Sequence, residues 1–310
     1  MEKIISSTDW PALAWSEWHE TAITLQLWTQ VVGKIRLALA PRVNHWWHVP
    51  LYVTCRGLTT SPMPYGKRMV QIDFDFLDHQ LLFQTHDGMH RTLALMPMTV
   101  SQFYHAVMEQ LSLLGFEISI WTMPVEMADP IAFEKDDTHA AYDGQAATRF
   151  WQVLVQADRV LSLFRTRFIG KVSPIHFFWG SFDLAVTRFS GRVAPEHPGG
   201  IPHLADSVTR TAYSHEVSSC GFWPGGPSYE EPVFYAYAYP TPPGFSEATI
   251  RPDMAFFNPQ MGEYLLPYER VCQLLDPDAA ILEFLQTTYE AAANLAHWQR
   301  DLLEAHTPFI

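Results

Sequence analysis

The sequence predicts an α+β protein, with a helix-flanked N-terminal sheet, an aromatic-rich and mostly antiparallel C-terminal half, and a C-terminal helix. Three observations predict this class. Two long stretches near the start carry apolar residues at helical spacing, and the segments between them alternate apolar and polar residues as strands do. Residues 175–268 are short aromatic segments broken by Pro and Gly, which favours strands joined by turns. Apolar residues make up 48% of the chain, enough for a large core and too many for general disorder.

The N-terminal elements follow from spacing and from stop signals. The first helix is predicted over residues 15–40, because its apolar residues recur near helical spacing, Pro41 ends it and Ser16 is a candidate N-cap. A second helix is predicted over residues 97–114 and ends at Gly115. Strands are predicted at residues 49–54, 69–76, 80–84, 91–95, 116–121 and 234–239. In the strand over 69–76, one face is predicted to carry Val70, Ile72, Phe74 and Phe76.

The acidic stretch Pro124–Gly144 is the predicted boundary between two subdomains, because it is rich in Pro and Asp and lacks periodicity. The subdomains are residues 1–123, a helix-flanked α+β unit, and residues 145–310, an aromatic β-rich unit with a C-terminal helix. Helices are predicted over 145–168 and 277–304. We expect the two halves to share one compact unit, with a pocket between them.

The charge pattern argues against two classes of partner. The formal net charge is −13, and the chain has no run of Lys or Arg, so neither nucleic acid nor an anionic membrane is an expected partner. No apolar run reaches the length of about 18 residues that a membrane span needs. The N-terminus lacks the pattern of a signal peptide. With nucleic acid and membrane excluded, we expect the partner to be a small-molecule ligand or substrate.

The three cysteines, Cys55, Cys220 and Cys272, are far apart and odd in number, which favours free thiols and a cytoplasmic location. No glycine-rich dinucleotide motif, phosphate-binding loop, Gly-x-Ser-x-Gly elbow or Cys-x-x-Cys pair occurs. A nucleotide cofactor is therefore not expected.

Rare residues are concentrated in two segments, residues 44–48 and 174–226. The chain has 11 Trp and 14 His, and many of them stand here beside Gly, Arg and Cys. Polar groups embedded in aromatic surface are typical of a ligand pocket. We expect one cavity to be lined by Trp47, His48, His176, Trp179, His215 and Trp223. The predicted substrate-binding residues are Trp47, Trp179, Arg188 and Trp223, with Arg188 as a clamp for an anionic group.

Four histidines in these segments are candidate metal ligands, namely His45, His48, His176 and His215. A mixed histidine–carboxylate site with open positions suits non-haem iron or zinc, so iron or zinc is the metal that such a site would hold. The alternative is that these histidines pack or orient loops. On a straight strand, His45 and His48 would point to opposite faces and would not converge.

Two carboxylates are candidate catalytic groups. Glu216 follows a histidine, but the second histidine of the zinc-protease motif is absent. Asp183 lies between two apolar residues and is expected to be buried, so it must pair with a cation or coordinate a ligand. The structural alternative is an ion pair with Arg188 or Arg192. Cys220 is a weaker candidate nucleophile, because a cysteine beside Phe and Trp is more often buried and inert.

The same segments resemble a family of uncharacterised bacterial proteins, filed as domain of unknown function 5996. The similar stretches are Trp10-Pro11, Asn44–Tyr65, Thr138–Asp143, His176–Gly200, His215–Gly226 and Tyr235–Gly244. They span nearly the whole chain, so the resemblance implies a single module of bacterial origin. It supplies no activity, cofactor or catalytic residue.

The leading hypothesis for function is an enzyme that acts on a small organic substrate in an aromatic, His-rich pocket, with or without help from a metal. Hydrolysis and oxidation both remain open as reaction types. A non-catalytic module would instead use the tryptophans to hold an apolar or cationic ligand. An interaction subunit would use exposed Trp and Tyr as anchors for another protein.

Overall fold

The computed structural model describes residues 9–305, and within that range it contains seven α-helices and two antiparallel sheets of six strands each. The predicted α+β class, including the C-terminal helix, is therefore confirmed. One hydrophobic core draws side chains from both halves of the chain, from Trp10 to Trp298. No helix among these residues is both long enough and apolar enough to cross a membrane.

The N-terminal half builds the first sheet, with strand order β1-β2-β4-β5-β6 and β3 paired to β4. Its elements are α1 (Trp15–Leu39), β1 (Tyr52–Val53), β2 (Gly57–Thr59), β3 (Met63–Tyr65), β4 (Arg68–Asp75), β5 (Gln80–Thr85), β6 (His90–Ala94) and α2 (Val100–Leu113). The predicted face of β4 is confirmed, because Val70, Ile72, Phe74 and the following Phe76 are all buried.

Helix α1 is the central helix, buried on every side from Leu27 to Arg36. Its predicted N-cap is wrong, because the helix begins at Trp15, two residues earlier than an N-cap at Ser16 requires. Ala14 is the N-cap and offers no side-chain hydrogen bond. Helix α2 begins with a capping box, in which Thr99 and Gln102 satisfy each other's main-chain N–H groups.

One predicted strand is absent and another is shortened, because a strand needs a neighbour to pair with. Residues 116–121 form no strand, although Phe116 is buried and lies under the guanidinium of Arg68. The strand predicted over 49–54 shortens to β1. Leu51 instead pairs with Phe177 of the second sheet, which connects the two halves through the main chain.

The C-terminal half builds the second sheet, with strand order β11-β12-β10-β9-β8-β7. Its elements are α3 (Gly144–Arg165), β7 (His176–Phe178), β8 (Asp183–Val193), α4 (Asp206–Ala212), β9 (His215–Trp223), β10 (Val233–Tyr239), β11 (Phe256–Asn258), β12 (Glu263–Pro267), α5 (Tyr268–Cys272), α6 (Pro277–Leu295) and α7 (Arg300–Leu303). The final helix is therefore not continuous to residue 304 as predicted. It stops where His297 takes a left-handed backbone with φ of 53°.

The two faces of the second sheet have different surroundings. One face carries Leu184, Phe222 and Phe234 into the main core, where α3 and α6 cover it. The other face carries a separate small cluster of Ala185, Val233, Tyr235 and Leu265. Chain segments outside the sheet cover this second face, which we call the outer face. The segment between β8 and β9, which contains α4, crosses it.

Candidate functional site

Four of the predicted site residues meet at one end of the outer face. Their rings form a chain in which His215 lies 5.6 Å from His45, His45 lies 5.4 Å from Trp47, and Trp47 lies 5.8 Å from His176, centroid to centroid. Phe189 of β8 packs against both His45 and Trp47. Four of the predicted residues thus lie together in the structure, although Trp47 and His176 are about 130 positions apart in the sequence.

The ring nitrogens of His45 are both occupied by protein groups. Nδ1 lies 2.9 Å from the carbonyl of Ala212 and donates to it, so Nε2 accepts from the Lys171 ammonium at 2.7 Å. Burial lowers the pKa of His45, and the charges of Lys171 and His215 lower it further, against the effect of the Ala212 hydrogen bond. His45 is therefore a neutral histidine that fixes a loop, in line with the structural alternative for this residue.

His176 is only 1% exposed, and its Nε2 has no hydrogen-bond partner among residues 9–305. Burial, reinforced by the charges of Arg36 and Arg165, lowers the pKa of His176 to about 3. His48 lies apart from the ring chain. Its ring stacks on Trp46, and its Nδ1 accepts from a main-chain N–H. The four predicted histidines therefore do not form one set of ligands.

Within residues 9–305, no three His, Cys, Asp or Glu side chains are arranged to hold a metal ion. The iron or zinc site thus has no geometric support in the part of the chain that the structure describes. The burial of His45 and His176 supports their alternative role as packed residues.

Two predicted substrate-binding residues lie away from the outer face. Arg188 points into the main core, because it stands five positions after Asp183 and successive strand residues alternate between faces. Its guanidinium packs over the ring of Phe164 at 3.5 Å and donates to that residue's carbonyl. Trp179 packs on Gly33 of α1, and its Nε1 donates to the carbonyl of Val49. Neither side chain is positioned to contact a ligand on the outer face.

The two predicted catalytic carboxylates have different environments. Glu216 pairs with Arg192 at 2.6 Å and accepts from Ser190, which is a surface ion pair. Asp183 is 7% exposed, as expected, but it pairs with neither arginine. Cys220 is buried, and burial raises the pKa of its thiol to about 12, which leaves it protonated and inert at neutral pH.

Asp183 belongs to a group of three carboxylates on the same face, one register step from His176. It accepts hydrogen bonds from Ser181 at 2.5 Å and from the hydroxyl of Tyr235. Burial and the charge of Asp183 raise the pKa of Glu126 to about 7 and that of Glu263 to about 8. Glu126 and Glu263 nevertheless keep part of their surface exposed. Strong desolvation with residual access is typical of groups at the bottom of a concave site.

Tyrosines complete this arrangement. The hydroxyls of Tyr213 and Tyr237 lie 2.6 Å apart and share a hydrogen bond, and the rings of Tyr235 and Tyr237 stack at 6.2 Å. Gly221 makes room for Tyr235, because a Cβ there would touch the tyrosine hydroxyl and the main chain of β8. Trp223 lies beside them, with Nε1 bound to the carbonyl of Ser181. We call the set of Glu126, Asp183, Glu263, Tyr213, Tyr235 and Tyr237 the carboxylate–tyrosine site.

Helix α1 holds the loops that carry two of these carboxylates. A row of polar side chains at i, i+4 and i+8 faces the loops and donates to their main-chain carbonyls. The contacts are Gln26 to Gly180 (2.6 Å), Gln30 to Val125 (3.0 Å) and Lys34 to Met123 (2.5 Å). The amide of Gln30 also accepts from the N–H of Val125 at 2.9 Å. Gly180 lies just before Asp183, and Val125 just before Glu126.

Sequence reasoning missed most of the carboxylate–tyrosine site. Glu126 lies in the predicted subdomain boundary. Its backbone is left-handed, with φ of 58°, and a residue other than Gly or Asn gives no sequence signal for this conformation. Two of the tyrosines could be predicted to share a face. Residues 235 and 237 stand two apart in the strand predicted over 234–239, which places both side chains on one face.

The fold and this site define the molecule as an α+β protein whose second sheet carries a group of desolvated carboxylates and tyrosines on its outer face. The chain belongs to the family described as "Family of unknown function (DUF5996)", whose model matches residues 10–305. The resemblance seen in the sequence is thereby confirmed. No curated protein and no solved structure matches the chain.

Proposed function

We propose that this protein is an enzyme that acts on a small organic substrate by general acid–base catalysis at the carboxylate–tyrosine site. The observation that carries the proposal is the grouping of Glu126, Asp183 and Glu263 on the outer face, where burial and the charge of Asp183 raise the pKa of both glutamates. None of the three forms an ion pair with a basic side chain among residues 9–305.

The raised pKa values suit proton transfer at neutral pH. A carboxylic acid with a pKa near 7 is present in both protonation states, so it can donate or accept a proton at little cost. Glu126 and Glu263 meet this condition, first because they are desolvated and second because Asp183 lies near them. Burial raises the pKa of Asp183 as well. Structural carboxylates behave differently. Asp75, for example, pairs with Arg56, and its pKa is lowered.

The backbone supports a functional reading of the same residues. Glu126 and Phe182, the residue before Asp183, both adopt left-handed conformations, with φ of 58° and 65°. Such a conformation costs a non-glycine residue on the order of 1 kcal/mol and is frequent at functional sites. Two such turns bring carboxylates from distant segments to one place.

The catalytic hypothesis is tested by screening purified protein for turnover by proton NMR, with a panel of small esters, glycosides and carbonyl compounds. For a compound that is converted, Glu126→Gln and Glu263→Gln should each lower kcat on the order of 10²–10⁴-fold, since proton transfer by a positioned side chain contributes that much. Glu216→Gln is the matched control, because Glu216 is ion-paired outside the site. Equal loss of kcat in the control would contradict the assignment.

The second candidate is a non-catalytic module that holds a cationic ligand. It is favoured by the same unpaired carboxylates together with the aromatic rings of Trp223, Tyr235 and Tyr237, since aromatic faces attract cations. Titration calorimetry with choline discriminates the two candidates. Saturable binding that is weakened in Glu263→Gln, without turnover of any compound in the panel, would replace the enzyme by the binding module.

Two expectations from the sequence stay predictions. An iron or zinc ion would be detected by elemental analysis of protein purified without chelator. The predicted cytoplasmic location rests on the three cysteines, because free thiols are typical of reducing compartments. Cys55, Cys220 and Cys272 are free thiols in the structure.

A further inference from the structure

Near the carboxylate–tyrosine site, three basic side chains point unpaired nitrogens into the protein interior. They are Arg36 in the last turn of α1, Arg165 at the end of α3 and His176 on β7. Arg36 Nε, Arg165 Nε and His176 Nε2 are all buried and have no hydrogen-bond partner among residues 9–305. We call these three residues the basic cluster.

The residues of the basic cluster are connected by ring contacts and by charge effects. Tyr52 of β1 lies between Arg36 and His176. Its ring centroid is 5.5 Å from the Arg36 guanidinium carbon and 5.7 Å from the His176 ring. Trp47 covers His176 from another side at 5.8 Å. After burial, the charges of Arg36 and Arg165 are the causes that lower the pKa of His176, so both guanidinium groups lie near its ring.

The protein provides little to neutralise these cations. Neither guanidinium forms an ion pair with a carboxylate in the range 9–305. Asp158, two turns earlier on α3, feels the charge of Arg165, but burial raises the pKa of this acid. The side-chain acceptor near Arg36 is the hydroxyl of Tyr52. Arg36 is 8% exposed, and a cation buried so deeply without an anion is costly.

We propose that Arg36, Arg165 and His176 form a binding site for an oxyanion, the phosphate or carboxylate group of a small ligand. Guanidinium groups offer planar pairs of N–H donors that match both anions, and such charge-assisted hydrogen bonds are the strong ones. Neutral His176 adds one further donor, and Trp47 and Tyr52 supply apolar walls. Buried, unsatisfied donors of this kind call for a partner in a native protein.

The position of the cluster suggests what else the ligand contacts. His176 stands opposite Ala185 in the register of β7 and β8, and Phe178 stands opposite Asp183. The basic cluster therefore begins one register step from the carboxylate–tyrosine site. A ligand with its oxyanion on the arginines would extend toward the carboxylates. Oxyanion binding itself goes beyond the proposed enzymatic function and does not depend on it.

The site is tested by calorimetric titration of the full chain with inorganic phosphate and, separately, with acetate, each against sodium chloride of equal ionic strength. We expect saturable binding of at least one of them, and the stronger of the two identifies the group. Arg165→Gln should raise Kd at least about tenfold, since a hydrogen bond to a charged group is lost. Arg167→Gln, an exposed arginine two residues further on, should change it less than about twofold.

Further variants keep the outcome interpretable. Arg36→Gln should also raise Kd, and Arg36→Lys, which keeps the charge, replaces it if circular dichroism shows that Arg36→Gln is unfolded. Glu126→Gln should bind the anion as the wild type does, which separates this site from the carboxylate–tyrosine site. The proposal is overturned if neither anion binds beyond the chloride control, or if Arg165→Gln and the folded Arg36 variant bind like the wild type.

Discussion

Asp183 shows what a sequence can and cannot predict at the scale of one residue. Its burial was predictable, because it stands between Phe182 and Leu184, and it is 7% exposed. Its partner was not. Arg188 is near in sequence, but five positions along a strand separate two side chains onto opposite faces. Asp183 instead bonds Tyr235, which lies 52 residues away, a pairing that only the strand register reveals.

Replacing Gly180 by Ala should move the carboxylate of Glu126 without disturbing the fold. A Cβ at this position would overlap the Glu126 carboxylate, the flexible end of a side chain that can shift cheaply. Gly180→Ala should therefore leave the free energy of unfolding within about 1 kcal/mol of the wild type. It should also shift the titration of Glu126, observed by carbon-detected NMR of glutamate-labelled protein. An unchanged Glu126 titration would show that this contact does not define the site.

At the scale of elements, α1 was predicted within one residue at its C-terminal end, yet its role was not. From the sequence, the apolar stripe of α1 predicted only that the helix packs on a sheet. In the structure it also positions loops, through the polar row of Gln26, Gln30 and Lys34. The spacing of the row is visible in the sequence. Its partners lie 89 to 154 residues away, so no local pattern could identify them.

Replacing Gln30 tests whether α1 positions the loop of Glu126. Gln30 is fully buried and bonds both the N–H and the C=O of Val125. Gln30→Leu would leave both main-chain groups unpaired in the core, at a cost of roughly 2–4 kcal/mol in the free energy of unfolding. Urea unfolding measures the loss, and hydrogen exchange should show faster exchange around residue 125. Glu20→Gln, on the exposed side of α1, is the control.

At the scale of the whole molecule, composition predicted the class of fold, and pairing decided the details. The helices α1, α2 and α3 match their predicted ranges within a few residues, because helical spacing is a local signal. A strand forms only where another strand pairs with it. Residues 116–121 therefore form no strand, and Leu51 pairs with Phe177 of the second sheet. The outer face arises only when the second sheet is assembled and covered. This is why its tyrosines were predictable as a strand but not as a site.

Burial of protonated acids makes the stability of the whole molecule depend on pH. The pKa of Glu126 is raised from 4.5 to about 7 and that of Glu263 from 4.5 to about 8. Between these values the folded state holds protons that the unfolded chain has released. The free energy of unfolding should therefore fall as pH rises from about 4.5 to 8, by up to roughly 3 kcal/mol for Glu126 and roughly 5 kcal/mol for Glu263.

Variants assign this pH dependence to the site. Glu263→Gln, which stays neutral at every pH, should remove part of the decline in the free energy of unfolding. Glu230→Gln, at an exposed position, should not. Urea unfolding of the three proteins at pH 5, 6.5 and 8 gives the comparison. Parallel curves for the wild type and Glu263→Gln would place the pH dependence elsewhere in the molecule.

The central claim is that the outer face holds desolvated glutamates that are protonated near neutral pH, and an NMR titration tests it most directly. The side-chain carboxyl carbons of glutamate-labelled protein are followed from pH 4 to 9, with Glu126→Gln and Glu263→Gln assigning the signals. The account predicts that Glu126 titrates near pH 7 and Glu263 near pH 8, and that Asp183→Asn lowers the pKa of both glutamates. Titration of both groups below pH 5 would contradict it.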